Sequence, residues 1–319
     1  MTTRRFVILA VLNFTIAATV GILAGMVYKG IRGRQEIHVD KCEQLREKIA
    51  ALADTVDAEV GVAVISGDGD TLEYVNSDRT RFPLMSVMKF HQALYVCHWL
   101  KNAGQTLDSV MEVLPERYEE NTWSPLRDSH PEGGTFSYGD LLSYTLGHSD
   151  NIACDILFEL TGGPECTGLY IRSLGVDDFN IECTESMMHE DLSLCMENWS
   201  TPLSSAMLLE EFMRNRDKDE FMRFIWNTMS ECKTGTARIP GRISEKTAAI
   251  VHKTGTGDVA DNGRIIAVND IGIVVMPDGT HFSLSVFIHN AACTMSQCEA
   301  LIAAIAEAVY EHALSEPLP

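Results

Sequence analysis

Phe82-Pro83-Leu84-Met85-Ser86-Val87-Met88-Lys89 is the stretch on which the reading of this chain turns. Proline biases the residue before it to extended backbone, so a helix starts only after this point. If Ser86 opens that helix, Ser86 and Lys89 share a face at i and i+3. A serine hydroxyl is a poor nucleophile until a basic group stands beside it, and the lysine supplies an amine there. A helix N-terminus would also turn backbone N–H groups toward a developing oxyanion. The plain alternative is a capping serine and a surface lysine.

On either side of this stretch the periodicity changes. Lys41 to Ala53 has helical spacing, with Leu45, Ile49 and Leu52 on one face. Val60 to Ile65 is β-branched and apolar, Gly67-Asp68-Gly69-Asp70 is turn chemistry, and Thr71 to Val75 completes a hairpin. From Ser86 to about Ser230 most segments read helical, Phe90–Asn102 and Tyr138–Thr161 most clearly, and Gly162-Gly163-Pro164 stops the second. Strand patterns return at Ala248–Lys253, Gly263–Val268, Ile271–Met276 and His281–His289, with Pro277-Asp278-Gly279 as a hairpin turn. Ser296 to Leu314 closes the chain as an amphipathic helix. This order predicts an α+β fold: an antiparallel sheet flanked by terminal helices, plus an all-helical domain. The expected boundaries are 36–85 and 231–319 for the sheet domain and 86–230 for the helical one.

Two further strings supply complementary chemistry. Ser149-Asp150-Asn151 offers a second hydroxyl and an amide, and all three residues also suit a helix N-cap before Ile152–Leu160. Lys253-Thr254-Gly255 ends a β pattern. On an edge strand Gly255 would let backbone approach a ligand closely. A second copy, Lys233-Thr234-Gly235, follows a helical stretch and precedes Ala237-Arg238-Ile239-Pro240, so it reads as a helix end.

With Ser86 and Lys89, these strings in this order resemble the class A serine β-lactamases, within the larger group that includes penicillin-binding proteins. The resemblance covers roughly residues 40 to 315 and implies a two-domain layout with the active site in the cleft. It implies Ser86 as nucleophile with Lys89 beside it. Ser149 would relay a proton to the leaving nitrogen, Asn151 would bind the substrate side-chain amide, and Asp150 would brace the loop. Lys253 would attract a substrate carboxylate, Thr254 would add a hydroxyl, and the N–H groups of Thr256 and Ser86 would form the oxyanion hole. Among Glu182, Glu185, Glu190 and Glu197, the string Glu185-Ser186-Met187-Met188-His189 resembles the water-activating loop of the branch with extended-spectrum and Bacteroides-type enzymes. The family more often has Asn where His189 stands, so His189 either takes over a hydrogen bond to the water or only packs. Trp123, in Trp123-Ser124-Pro125, resembles an aromatic gate and could equally be a packing residue. The family leaves open whether Lys89 or the Glu acting through water activates Ser86. A neutral Lys89 would need a depressed pKa, which like charge from Lys253 could produce.

The implied activity is hydrolysis of β-lactam antibiotics through an acyl-serine, with cephalosporins the expected preference. The alternatives are a D-alanyl-D-alanine peptidase and a non-hydrolytic membrane-anchored sensor. No cofactor or metal is expected, and no His-x-His-x-Asp string occurs. A net charge of −20 from 45 acidic and 25 basic residues argues against nucleic acid as a partner. A β-lactam is the expected small-molecule partner and a monomer the expected state. Arg4 and Arg5 precede an uncharged, mostly apolar run from Phe6 to Tyr28, and Lys29, Arg32 and Arg34 follow. That pattern reads as a cleaved export signal or as a membrane anchor through residues 6–28, within a segment 1–35. Either reading puts the globular part in the periplasm or otherwise outside the cytoplasm. Nine cysteines, an odd number, leave at least one unpaired in a monomer and assign no disulfide.

Overall fold

The computed structural model describes residues 41–315, so the expected signal or anchor lies outside the described residues. Residues 41–53 form α1. Then come β1 (Glu59–Ser66), β2 (Thr71–Val75), β3 (Phe82–Pro83), α2 (Met88–Asn102), β4 (Val110–Val113), α3 (Pro125–Ser129), β5 (Gly134–Ser137), α4 (Tyr138–Gly147), α5 (Asn151–Thr161) and α6 (Pro164–Ser173). After these follow β6 (Phe179–Asn180), α7 (Glu185–Glu190), β7 (Trp199–Ser200), α8 (Pro202–Asn215), α9 (Glu220–Ser230), β8 (Ala249–Thr256), β9 (Ile265–Val275), β10 (His281–Ala291) and α10 (Met295–Ser315). The fold is α+β. From Lys48 the described chain belongs to one compact unit. Among the described residues no helix is long and apolar enough to cross a membrane.

The main sheet has the order β2-β1-β10-β9-β8, antiparallel throughout. Strands from both chain ends build it, as the sequence pattern predicts, and β8 is an edge strand. The turn at Pro277-Asp278-Gly279 joins β9 to β10, with Gly279 at φ 89° and Asp278 accepting from the Thr280 N–H. On β10, Ser283 and Ser285 are buried but not orphaned. Their hydroxyls donate to Glu210 and to the Pro202 carbonyl of α8, which satisfies them and seats α8 on the sheet. The stretch 86–230 is thus mostly helical without being wholly so. It holds the β4–β5 pair and the strands β6 and β7, which join β3, and one of its helices packs on the sheet.

Two expected elements differ in instructive ways. Tyr138–Thr161 is not one helix. Asp150 has extended backbone, and its carboxylate accepts from the Ala153 N–H as the N-cap of α5. A satisfied cap outcompetes helix continuation there. Gly162, at φ 92°, then ends α5 in the left-handed conformation that glycine adopts without a Cβ clash. The reverse holds for Gly263–Val268 and Ile271–Met276, which are one strand, β9. Asn269 and Asp270 read as a break but are buried within it. Asn269 donates to the carbonyls of Pro83 and Leu84, and Asp270 accepts from the Ile239 N–H and faces His252 Nδ1 at 3.0 Å.

Candidate active site

Ser86 does not open α2. It is the middle residue of a 3₁₀ turn, Met85–Val87, that leads into α2. Met85 before it has φ 49°, a costly backbone for a residue with a side chain. Two neighbours hold this turn. The Asn269 amide grips the carbonyls of residues 83 and 84. Gly255 of β8 passes so close that a Cβ would stand 2.5 Å from the Leu84 carbonyl oxygen. The close approach that requires glycine here is therefore to the turn that carries Ser86.

Lys89 is fully buried, and four oxygens surround its Nζ. It donates to Ser86 Oγ at 3.0 Å, to the Ser149 carbonyl at 2.8 Å and to Asn151 Oδ1 at 2.6 Å. Glu185 Oε1 stands at 2.9 Å, and the Ser86 hydroxyl donates to that same oxygen at 3.4 Å. Glu185 is the first residue of α7, capped by Thr184. Asp155 of α5 fixes this helix start by accepting the N–H groups of Glu185 and Ser186 at 2.8 and 2.7 Å. Burial, and then the neighbouring Glu185, raise the Asp155 carboxyl to about 7. Glu182, Glu190 and Glu197 are all exposed. His189 is exposed too, and among the described residues no hydrogen bond joins it to Glu185.

The Ser149 loop closes the opposite side. Ser149 has φ 58°, and its hydroxyl accepts from Lys253 Nζ at 2.9 Å. Asp150 is buried and braces the loop. It accepts from Ser124 Oγ, the Leu126 N–H and the Ala153 N–H. Asn151 donates to Thr122 Oγ1. Trp123 is 60% exposed, with its indole N–H on the His148 carbonyl, so it stands at the surface and is not a core residue. Between α5 and the start of α7 lies a cavity of about 220 Å³, lined by Thr122, Asn151, Asp155, Glu185 and Ser186 among others.

Lys253 is fully buried on β8. Burial is the main cause that lowers its amine to about 8, and Lys89 pushes the same way. The second Lys-Thr-Gly copy is more than a helix end. Its Thr234 hydroxyl meets Thr254 Oγ1 at 2.6 Å, so the segment after α9 walls the site behind β8. From there Arg238, unassigned from the sequence, reaches the site. It is buried, donates to the carbonyls of Gly255 and Asn269, and donates to Thr256 Oγ1 at 2.7 Å. Its Nε pairs with Glu299 Oε1 at 3.3 Å, which offsets the cost of burying the charge. The sequence signal that could have flagged it is its place shortly after the duplicated Lys-Thr-Gly. The site thus joins a hydroxyl, two amines, a second hydroxyl, a carboxylate and a guanidinium.

Known proteins share this sequence pattern and fold. A β-lactamase of Bacteroides uniformis is 35% identical over 281 residues, covering 86% of this chain and 93% of that protein. The extended-spectrum β-lactamase PER-1 of Pseudomonas aeruginosa is 34% identical over 275 residues, covering 85% and 88%. A crystal structure of a class A β-lactamase from Bacteroides cellulosilyticus superimposes with a TM-score of 0.80 at 36% identity, covering 86% of this chain and 99% of that one. The model of the β-lactamase enzyme family matches residues 44–313, and the chain belongs to that family as a class A serine β-lactamase.

Proposed function

We propose that Ser86 is the nucleophile acylated by the β-lactam and that Glu185 directs the water that frees it. One observation carries this reading: a single carboxylate oxygen of Glu185 reaches both the Lys89 amine and the Ser86 hydroxyl. In the first half-reaction the Ser86 proton passes to the Lys89–Glu185 pair as Oγ bonds to the lactam carbonyl carbon. The ring C–N bond breaks as Ser149, bonded to Lys253, hands its hydroxyl proton to the nitrogen and takes one back from the Lys89–Glu185 pair, which leaves Glu185 free to act as base again. In the second half-reaction Glu185 takes a proton from water, the hydroxide attacks the ester, and Ser86 regains its proton as the acid leaves. The N–H groups of Ser86 and Thr256 form the oxyanion hole. Lys253, the Thr254 and Thr256 hydroxyls and Arg238 receive the substrate carboxylate. Asn151 binds the substrate side-chain amide, and Trp123 stacks on that side chain.

Cephalosporins are the proposed preferred substrates. The cavity beside Asn151 gives side-chain room, and one relative is named an extended-spectrum enzyme. The chain acts outside the cytoplasm, as class A enzymes typically do, and works as a monomer, since every group named lies in one chain. Purified protein mixed with a chromogenic cephalosporin tests the scheme, with Ser86→Ala as control. Many turnovers that vanish in the control support it. One stoichiometric burst would instead mark a peptidase or a sensor. A cephalosporin-to-penicillin turnover ratio below one would reject the substrate preference.

A further inference from the structure

The first turn of α10 carries a feature outside this chemistry. Thr294 is its N-cap: its hydroxyl accepts from the Gln297 N–H, and the Gln297 side chain accepts from the Thr294 N–H. That is a capping box, with N3 at Gln297. A capping box is often joined by an apolar staple between the residue before the cap and the fourth residue of the helix. Those two positions here are Cys293 and Cys298, whose sulfurs lie 3.3 Å apart. The approach to the cap is fixed as well. Asn290 takes φ 53°, its carbonyl accepts from Arg264, and the Ala292 N–H donates to the Asp57 carbonyl.

We propose that Cys293 and Cys298 are an oxidation site that closes a disulfide, a covalent version of this helix staple. Cys293 is half-exposed and Cys298 is fully buried, so Cys293 meets the oxidant. Burial and the neighbouring Cys293 raise the Cys298 thiol to about 12, which leaves Cys293 as the attacking group. The oxidant is a small-molecule or protein disulfide. The Cys293 thiolate attacks it, forming a mixed disulfide and expelling one thiolate. Cys298 then loses its proton, attacks Cys293 Sγ and expels the second. The chain gives up two electrons and two protons, and the oxidant becomes two thiols. Such oxidants prevail outside the cytoplasm.

The bond would brace the active site from behind. The same helical turn holds Arg238: Glu299 Oε1 lies 3.3 Å from its Nε, and Met295 Sδ lies 3.9 Å from its Nη2. No Lys or Arg follows Arg264, so trypsin releases residues 265–319 as one peptide containing these two cysteines and no other. The whole protein is incubated with oxidised glutathione, denatured under an alkylating agent and digested. The expected product is that peptide, unalkylated and lighter by two hydrogen atoms. The change should disappear in Cys293→Ser and in Cys298→Ala, the second guarding against a folding defect in the first. Oxidised wild type should also melt higher than the reduced form, with no such difference in Cys293→Ser. A doubly alkylated peptide, or glutathione left on Cys293 alone, would overturn the proposal. A lower melting temperature on oxidation would overturn the bracing role.

Discussion

Glu185 touches Lys89 at 2.9 Å and Ser86 at 3.4 Å, so it is in reach of either proton transfer. In the proposed scheme its distinctive task is to make water nucleophilic in the second half-reaction. Glu185→Gln keeps the shape and removes the base. Positioned general bases contribute about 10²–10⁴-fold, so turnover should fall within that range while Ser86 stays acylated. Intact mass spectrometry during turnover checks this, and rapid loss of the adduct would move the role to another acid. Lys253 sets a pH limit of a different kind. With its amine lowered to about 8 by burial, its positive charge fades as pH rises through that value. An anionic substrate should then bind less well, so kcat/KM should fall above pH 8 with the loss mainly in KM. A profile flat to pH 9.5 would contradict this. Arg238 is the third residue with a measurable signature. It reaches the site through Thr256 Oγ1, and Thr256→Val removes that bond while nearly conserving volume. A hydrogen bond to a charged group is worth about 1.5–3 kcal/mol, so KM should rise about tenfold or more, with kcat changed less. A fall in kcat with KM unchanged would place Thr256 in transition-state binding instead.

Elements carry the site through two contacts that sequence alone does not disclose. The first is the docking of α7 on α5 through Asp155. The folded protein holds the Asp155 proton to about pH 7, whereas an ordinary aspartate releases it near 3.8. The folded state therefore binds more protons between these values, and stability falls as pH rises across that window. Asp155→Asn abolishes this titration, so its melting temperature should decline less between pH 5 and 8 than that of wild type. Parallel slopes would place the titrating group elsewhere. The second contact is β8 against the Ser86 turn at Gly255. Gly255→Ala would push Leu84 and β8 apart and widen the gap between the Ser86 and Thr256 N–H groups. Losing one oxyanion donor costs about 10²–10³ in kcat, and a drop of that order is expected in pre-steady-state acylation. What was legible follows from these cases. Ser86, Lys89 and Lys253 sit in short local strings, and the strands and terminal helix have clear periods. Asp155, Asn269 and Arg238 were not legible, because each acts on backbone or hydroxyl groups far away in sequence. The N-cap at Asp150 is among the readings its string allows, although the helical period runs across it. The continuity of β9 through Asn269 and Asp270 escaped, because polar residue types that usually end a strand continue it when distant partners satisfy them inside.

Charge sets a tension across the whole molecule. The chain carries a net charge of −20, yet the site gathers Lys89, Lys253 and Arg238, all buried. A β-lactam with a free carboxylate therefore approaches a repelling body before it meets an attracting pocket. Salt distinguishes the two, because the Debye length shrinks from about 30 Å at 0.01 M to about 8 Å at 0.15 M ionic strength. The diffuse surface field is screened over that range, while contacts between buried cations and bound substrate are screened much less. Raising salt from low to physiological strength should therefore lower KM for an anionic cephalosporin and leave kcat unchanged. A zwitterionic cephalosporin, having no net charge to repel, should respond less. Steady-state kinetics with the two substrates over a salt series makes the comparison. If KM rises with salt for the anionic one, the local cations govern encounter, and the −20 surface has no steering role.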